Sequence, residues 1–272
     1  MTNNYGGLVD LHIHTDASDG TWSNQVLITK LLERNIYFFS ITDHNTITNS
    51  QLMVHHVNNL KYIPGVEISC MYQDEEFHIL GYGFDVNNKD FLNLLEFNQK
   101  INKEAHKNLI KKLIPLYSKI NYNDYKKYRF NSSRGGWKTL NYFIDIGIIE
   151  NLTDYYTIIK KTDAWKIPSY KTPEKVVKII KKANGIPILA HPKVYDLQNF
   201  EKLLIEWIVS GVLGIECYHP NLNMDISKKL VTFCRQHDLL ISGGSDTHGS
   251  FTPIRQLGFP RITQSMIDLG GV

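Results

Sequence analysis

Residues 8–20 read LVDLHIHTDASDG, an apolar run that ends in two histidines and leads into acids and a glycine. In four further places an apolar run also leads to His, Asp or Glu beside a turn-forming residue. These are residues 41–45 (ITDHN), 64–69 (PGVEIS) with 77–82 (FHILGY), 188–192 (ILAHP) and 243–249 (GGSDTHG). A parallel barrel whose strands all end at one face would gather these side chains. Gathered imidazoles and carboxylates are typical of a transition-metal site.

The order of the apolar runs predicts an α/β fold. Strands are expected at Leu8–Ile13, Ile36–Ile41, Tyr62–Ile68 and Glu76–Phe84, with a helix at Ser23–Arg34 capped by Ser23 and another from Thr46 or Thr48 to near Asn58. This βαβαβ order predicts a parallel sheet. The alternation gives way to helical stretches at residues 91–170 and returns at the helix start Thr172-Pro173. We therefore predict a barrel formed by residues 1–90 and 171–272, with a helical insertion or cap at residues 91–170.

The composition argues against several classes of protein. The 272 residues contain no apolar run near the roughly 20 residues of a membrane span. The first residues, MTNNYGGLVD, lack the basic start and apolar region of a secretion signal. Three unevenly spaced cysteines do not make a disulfide framework. We therefore expect a cytoplasmic protein with no membrane association and no obligate protein partner.

Positive charge is concentrated in the middle of the chain. Residues 101–184 carry 18 Lys or Arg and 7 Asp or Glu, whereas the whole chain has a net charge of +3. Lysine-rich runs are usually solvated helix faces, but a basic wall beside a metal cluster would also attract phosphate esters. No recognised nucleic-acid-binding motif accompanies the charge, so long duplexes are not expected. A small phosphorylated substrate is favoured, and a short oligonucleotide stays open.

Histidines and acids near the strand ends are the candidate metal ligands. His12 and His14 lie two apart on an extended segment, so both side chains point to one side and can bind one ion. Glu67 ends an apolar strand, where a carboxylate is poorly solvated without a partner and can bridge two ions. His78 and His191 would singly be more typical of a buried core. Their shared position with the other segments favours a metal site.

Later segments supply further candidates. Asp246 and His248 repeat the spacing of two residues after another apolar strand, and His44 closes the second strand. Asp19 lies in the loop after the first histidine pair, from which its carboxylate could fold back toward the site. His219 ends a strand and could either face the site as a proton donor or substrate contact, or simply terminate the strand.

Together these residues resemble the polymerase and histidinol phosphatase (PHP) family of metal-dependent phosphoesterases. The resemblance rests on His12-Ile13-His14, Ser18-Asp19-Gly20, Thr42-Asp43-His44, Gly65-Val66-Glu67, His78, Ala190-His191-Pro192 and Ser245-Asp246-Thr247-His248. It covers roughly residues 8–84 and 172–260 and is closest to free-standing members with a helical insertion. Two departures are Asn45, where many relatives have aspartate, and residues 133–138 (SRGGWK), where relatives that act on nucleotides often carry a Gly-Arg-Pro-like motif.

The resemblance implies a distorted seven-stranded β/α barrel with a trinuclear metal site. The first ion would be held by His12, His14, Glu67 and Asp246, the second by Glu67, His78 and His191, and the third by Asp19, His44 and His248. Glu67 would bridge the first two. Six imidazoles favour manganese, iron or zinc over magnesium, so two to three divalent ions of these metals are the expected cofactors.

The expected reaction is hydrolysis of a small, nucleotide-like phosphomonoester by a hydroxide that bridges the clustered metals. His219 or His191 is the candidate for protonating the leaving alkoxide. Arg134 is the leading phosphate clamp because a guanidinium matches phosphate oxygens. Lys138, Lys193 and Arg255 are weaker candidates for binding the substrate.

Several alternatives stay open. Within the same chemistry, the substrate could be histidinol phosphate, or a short oligonucleotide degraded as by a 5′–3′ exonuclease. An amidohydrolase is less favoured because such sites often use a bridging lysine, and Glu67 stands here instead. A metal-binding regulatory domain without turnover ranks lowest because the motifs retain every expected ligand.

Overall fold

A computed structural model describes residues 7–53, 60–192 and 200–271. The strands in this part of the chain are β1 (Leu8–Asp10), β2 (Ile36–Phe39), β3 (Lys61–Tyr62), β4 (Gly65–Tyr72), β5 (Glu75–Tyr82), β6 (Ile186–Leu189), β7 (Gly214–Tyr218), β8 (Leu240–Gly243) and β9 (Ile262–Thr263). The α-helices are α1 (Asn24–Glu33), α2 (Thr48–Met53), α3 (Lys89–Leu113), α4 (Tyr122–Lys127), α5 (Lys138–Asp145), α6 (Leu152–Thr162), α7 (Pro173–Lys182), α8 (Phe200–Ser210) and α9 (Met224–Gln236). None of the helices described is both long and apolar enough to cross a bilayer.

The described strands form two sheets, which confirms the α/β class. One sheet has the order β3-β2-β1-β9 and the other β4-β5-β6-β7-β8. Strands β1 to β3 pair in parallel, as do β6 to β8, but β5 is antiparallel to both of its neighbours. The expectation of an all-parallel arrangement was therefore wrong at β5, and β9 also pairs antiparallel with β1.

The β4–β5 hairpin explains that difference. Its connecting residues Gln73 and Asp74 both have positive φ angles, of 49° and 61°, as tight hairpin turns require. Neither residue forms the Asn-Gly or Asp-Gly pair that signals such a turn in a sequence. As a consequence, Glu67 lies near the start of an eight-residue strand rather than at its end, and His78 lies in the middle of β5.

Hydrogen bonds join the segments after β1 and β2 to the two edge strands of the second sheet, β8 and β4. Beyond β1, the Leu11 N–H donates to the Gly243 carbonyl (3.1 Å). Beyond β2, the Asn45 N–H donates to the Glu67 carbonyl (2.8 Å), and the Glu67 N–H donates to the Asp43 carbonyl (3.2 Å). These contacts bring the loops after β1 and β2 against the second sheet. The described strands do not, however, form one continuous seven-stranded sheet.

In the helices that pack on the second sheet, buried apolar residues recur with the spacing of one helical face. In α7, Val176, Val177 and Ile180 are buried, and Pro173 occupies the first helical position, where its missing N–H costs nothing. These residues pack in one core with the apolar residues of α3, α8, α9 and β4 to β8. A smaller core lies between the two sheets, where the Tyr82 hydroxyl donates to the Leu11 carbonyl (2.8 Å).

Helix α3 connects the main core to a second core formed within residues 109–164. Phe91 and Leu94 pack in the main core, whereas Leu109 and Leu113 pack in the second one. One uninterrupted helix therefore runs from the sheets into the segment predicted as an insertion. The exact division of the chain into units stays a prediction.

Buried amide groups fix α3 against the loop that follows β2. The Asn98 side chain donates to Asn45 Oδ1 (2.7 Å) and to the Ser69 carbonyl (2.9 Å). Asn45 Oδ1 also accepts the Ser69 N–H (3.1 Å), and Gln99 donates to the Asn45 carbonyl (2.8 Å). Asn45 has a φ of 51°, a conformation that asparagine tolerates better than most residues. Asn45 Nδ2 also donates to Ser69 Oγ (3.1 Å), and an aspartate would have no donor at this place.

Candidate metal centre

All nine predicted metal ligands lie in one cluster. They come from the segments after β1, β2, β6 and β8 and from within β4 and β5. They are His12, His14, Asp19, His44, Glu67, His78, His191, Asp246 and His248. Most of these residues follow the end of a strand, as predicted. Glu67 and His78 lie within strands instead.

Glu67 lies at the centre of the cluster and is fully buried. Its Oε1 atom lies 2.8 Å from His78 Nδ1 and 2.7 Å from His191 Nε2. Its Oε2 atom lies 3.3 Å from His12 Nε2 and 3.2 Å from His14 Nε2. The two oxygens of one carboxylate therefore face separate sets of imidazoles, because Oε2 also lies 3.1 Å from His44 Nδ1, and this arrangement suits a bridging ligand.

Asp246 completes the group around His12 and His14. Its Oδ1 atom lies 3.1 Å from His14 Nε2 and 3.4 Å from His12 Nε2. Together with Glu67, these residues form a buried four-residue group able to hold one metal ion. Two imidazoles and two carboxylates suit manganese, iron or zinc.

A second four-residue group forms around Asp19. Its Oδ2 atom lies 3.3 Å from His248 Nε2 and 3.8 Å from His44 Nε2, and its Oδ1 atom lies 3.6 Å from His14 Nδ1. The Asp19 carboxylate thus does fold back toward the histidine pair. The group of Asp19, His14, His44 and His248 could hold another ion.

The remaining histidines of the cluster also contact Glu67. His78 Nδ1 and His191 Nε2 are 3.4 Å apart, and both contact Glu67 Oε1. His44 also reaches Glu67, with its Nδ1 atom 3.1 Å from Oε2, and it belongs to a third possible metal group with Glu67 and His78. His44 therefore lies between two groups, whereas the resemblance to the PHP family implied only one.

The electrostatics of the cluster favour cations. Burial alone would lower the pKa of His14, but Asp246 and Glu67 raise it to about 10. Burial alone would raise the pKa of Glu67, but His78, His44 and His12 hold it well below its usual range. The Glu67 carboxylate is thus kept ionised and His14 is drawn toward positive charge, whereas burial lowers the pKa of His44 to about 4.

Two ligand atoms also support a fit to metal ions. His14 Nδ1 is buried without a hydrogen-bond partner among the described residues, and its distance to Asp19 Oδ1 is 3.6 Å. Glu67 Oε2 is buried and makes no well-aligned hydrogen bond with the three imidazole nitrogens within 3.3 Å of it. Buried polar atoms are normally hydrogen-bonded, so an atom of this kind needs another explanation. Coordination of a divalent cation would provide it for both atoms.

Glu216 is a site residue whose role the sequence did not reveal. Its Oε1 atom lies 2.9 Å from His12 Nδ1, and its Oε2 atom accepts the His191 N–H (2.6 Å). A carboxylate at Nδ1 turns Nε2 of the same imidazole toward a metal and increases its basicity. The signal was present, because Glu216 is an acid inside an apolar strand, as Glu67 is.

Asp10 performs a structural task in the same region. Its carboxylate accepts the N–H groups of Ser245 and Gly258, both at 2.8 Å. Burial raises the pKa of Asp10 to about 6, although these hydrogen bonds act in the opposite direction. Asp10 therefore anchors the loop that carries Asp246 against β1.

His219 lies beside the cluster. Its Nε2 atom is 3.2 Å from Asp246 Oδ2, and its Nδ1 atom accepts the Asn221 N–H (3.1 Å). Because Nδ1 acts as an acceptor, the proton of the neutral ring resides on Nε2. The ring therefore presents an N–H group toward the candidate metal ligands.

The predicted substrate-binding residues differ in their positions. Arg255 reaches the cluster, where its Nη1 atom contacts Asp246 Oδ2. Arg134 instead pairs with Asp145 (2.9 Å), and Lys138 donates to the Lys126 carbonyl (3.3 Å). Lys193 lies outside the described residues. Of the candidates that the structure describes, only Arg255 contacts the cluster.

The loop that follows Arg134 does reach the site. The Gly136 N–H donates to the Asp19 carbonyl (2.7 Å), and Gly135 has a φ of 72°. A Cβ atom at Gly135 would lie 2.6 Å from Phe251 Cβ and 3.0 Å from the Asp19 carbonyl oxygen. The glycines of the SRGGWK segment therefore allow close approach to the loop that carries Asp19.

Replacing Glu216 with glutamine tests the orienting role assigned to its carboxylate. We expect Glu216→Gln to weaken binding of Mn²⁺ or Zn²⁺ by about 10- to 100-fold, because the neutral amide no longer supports His12. Calorimetric titration of the metal measures this. Glu96→Gln, an exposed position on α3, is the matched control. Equal affinities in the two variants would contradict the assignment.

Comparison with known proteins gives relatives along nearly the whole chain. No family model matches. The chain is 27% identical over 267 residues to the 5′-3′ exoribonuclease Rnm of Salmonella typhimurium, covering 90% of this chain and 86% of that protein. It is 23% identical to the 3′,5′-nucleoside bisphosphate phosphatase of Chromobacterium violaceum, covering 92% and 90%.

Solved structures show a similar fold. A protein from Bifidobacterium adolescentis, to which metal-dependent phosphoesterase activity has been attributed, superposes with a TM-score of 0.77 at 21% identity, covering 95% of this chain and 93% of that one. A protein from Chromobacterium violaceum described as an amidohydrolase, with bound sulfate and no metal, gives a TM-score of 0.70 at 23% identity, covering 89% and 87%. The fold of the chain is thus similar to that of a protein described as a metal-dependent phosphoesterase, and its ordered His, Asp and Glu motifs resemble those of the PHP family.

Proposed function

We propose that the protein is a metal-dependent phosphoesterase that hydrolyses a phosphate ester of a nucleotide or a short oligonucleotide. The observation that carries this proposal is the buried Glu67 carboxylate, whose two oxygens face separate sets of histidines. A bridging carboxylate of this kind suits a cluster of divalent ions, and such clusters are suited to phosphoryl transfer.

The proposed cofactors are two to three ions of manganese, iron or zinc. His12, His14, Glu67 and Asp246 would hold the first, Glu67, His78 and His191 the second, and Asp19, His44 and His248 the third. When bound, the ions would lower the pKa of a water molecule and neutralise charge on the phosphoryl oxygens. The protein's part is to hold these ligands ionised, oriented and shielded from bulk solvent, as Glu216 does for His12.

We propose His219 as the general acid of the reaction. Hydrolysis adds water to phosphorus and breaks the P–O bond of the ester, so the leaving oxygen needs a proton when it belongs to an alcohol. In its imidazolium form His219 carries a proton on Nε2, which lies 3.2 Å from Asp246 Oδ2, and it returns to a neutral ring when it gives that proton to the leaving oxygen. His191 is less suited to this task, because its Nε2 atom faces Glu67 at 2.7 Å.

Arg255 is the preferred phosphate-binding residue because it alone among the described candidates has a recorded contact with the cluster. A role for Arg134 as a clamp would require it to leave Asp145. We further propose that the joined sheets act as the distorted seven-stranded barrel of the family, supported by the hydrogen bonds of Leu11 and Glu67 across the sheet edges.

The substrate class is proposed from the relatives. Rnm of Salmonella typhimurium is a 5′-3′ exoribonuclease, and the Chromobacterium violaceum relative is a 3′,5′-nucleoside bisphosphate phosphatase. Both act on phosphate esters that carry a nucleoside. We therefore place nucleotides and short 5′-phosphorylated RNA ahead of histidinol phosphate. We propose no obligate protein partner and a cytoplasmic site of action, with which the three free cysteines agree.

A substrate panel with added metal tests the proposed function. With Mn²⁺, we expect phosphate or nucleotide release from AMP, a nucleoside bisphosphate or a short 5′-phosphorylated RNA, and we expect a strong chelator to abolish it. His14→Ala should lower the rate by at least about 100-fold, since it removes a ligand. Full activity in the chelator would contradict the proposal. Metal binding without hydrolysis of any ester would favour a regulatory domain instead.

Two leaving groups of different acidity test the role of His219. We expect His219→Asn to slow hydrolysis of AMP about 100-fold, because the ribose hydroxyl needs a proton. Hydrolysis of p-nitrophenyl phosphate should change much less, since nitrophenolate leaves without one. The ratio of the two values of kcat reports this. An equal loss for both substrates would instead indicate a role in binding metal or in holding Asp246.

A further inference from the structure

A cavity of about 450 Å³ extends from the metal centre to the α3–α6 region. On the metal side it is lined by Asp19, His44 and His78. On the opposite side aromatic rings dominate the lining: His106, Trp137, Tyr155, Tyr156, Trp165 and Tyr170. A phosphate ester bound at the metals would therefore have a wall of aromatic rings within reach of the rest of its structure.

The rings form a connected group around the cavity. The His106 and Trp165 ring centroids are 4.9 Å apart, and the Trp137 ring lies 5.2 Å from Tyr155 and 6.4 Å from Tyr156. Trp137 and Trp165 also pack against the second core, which is the ordinary reason for aromatic residues at such positions. Both are nevertheless only partly buried, and Tyr156 is 56% exposed.

The charge of the lining distinguishes between classes of substrate. Among the described residues that line the cavity there is no lysine or arginine, whereas Glu76 adds a carboxylate. A second phosphate group would find no cation there and would be repelled by Glu76. An uncharged planar ring, by contrast, would gain stacking area on the aromatic wall.

His106 supplies a polar group within this wall. Its imidazole ring makes no hydrogen bond to any described residue, and the Nδ1 atom of the ring is buried without a partner. Burial lowers the pKa of His106 to about 4, so the ring is neutral near pH 7. A neutral imidazole offers one donor and one acceptor, as the edge of a nucleobase does.

From these observations we infer that the cavity is a nucleobase subsite. The base would stack against the aromatic wall at Trp165 and hydrogen-bond to His106, while the phosphate of the same substrate lies at the metal centre. The inference rests on the proposed function for the position of the phosphate, and it adds a specific means of recognising a nucleoside over other phosphate esters.

Two esters that differ only in the base test this subsite. AMP and ribose 5-phosphate share the phosphate and the sugar, so the metal-loaded enzyme should show a KM for AMP that is about tenfold lower. His106→Ala and Trp165→Leu should each raise the KM for AMP about tenfold and leave that for ribose 5-phosphate nearly unchanged. His237 is an exposed histidine at the C-terminal cap of α9, and His237→Ala is the matched control, which should change neither value.

A binding measurement separates this inference from the proposed function. Adenosine, which carries no phosphate, should quench the tryptophan fluorescence of the wild-type protein and of His237→Ala, and the quenching should be lost in Trp165→Leu. Quenching without hydrolysis of either ester would retain the subsite and overturn the proposed function. Hydrolysis of both esters with equal KM, and no quenching by adenosine, would overturn the subsite alone.

Discussion

The burial of one carboxylate governs the architecture of this site. Glu67 is fully buried, and taking an ionised carboxylate out of water costs several kcal/mol unless cations and hydrogen bonds compensate. Imidazoles from both sheets converge on its two oxygens, so the folds of several distant segments are coupled through this residue. The loops that carry His12 and Asp246 are in turn held by Asp10 and by hydrogen bonds across the sheet edges. The site and the fold are therefore stabilised by the same contacts.

Much of the cluster could be predicted from sequence, because most of its ligands follow apolar strands. His78 lies in the cluster with the other candidates, but the reason given from strand ends does not apply to it, since β5 runs antiparallel. The hairpin pairs Glu67 with Leu80 and Ser69 with His78, and directly paired residues share a face of the sheet. Glu67 and His78 thus become diagonal neighbours through strand register, which the spacing of turn residues did not reveal.

Other parts of the site depend on tertiary contacts that no local pattern encodes. The role of Glu216 arises only when β7 lies beside the segment after β1, and the buried amide of Asn98 is meaningful only beside Asn45. The pairing of Arg134 with Asp145 is likewise a matter of how the helices around the second core pack. Side-chain partners of this kind are fixed by packing between distant segments, whereas periodicity fixes the elements alone.

The most direct test of this account is the number and affinity of divalent ions bound by the wild-type chain and by Glu67→Gln. Calorimetric titration with Mn²⁺, checked by elemental analysis after desalting, measures both quantities. If Glu67 bridges a cluster, the wild-type protein binds more than one ion per chain, and the variant loses ions at more than one position. Unchanged stoichiometry and affinity in the variant would contradict the central claim that one buried carboxylate is shared between metals.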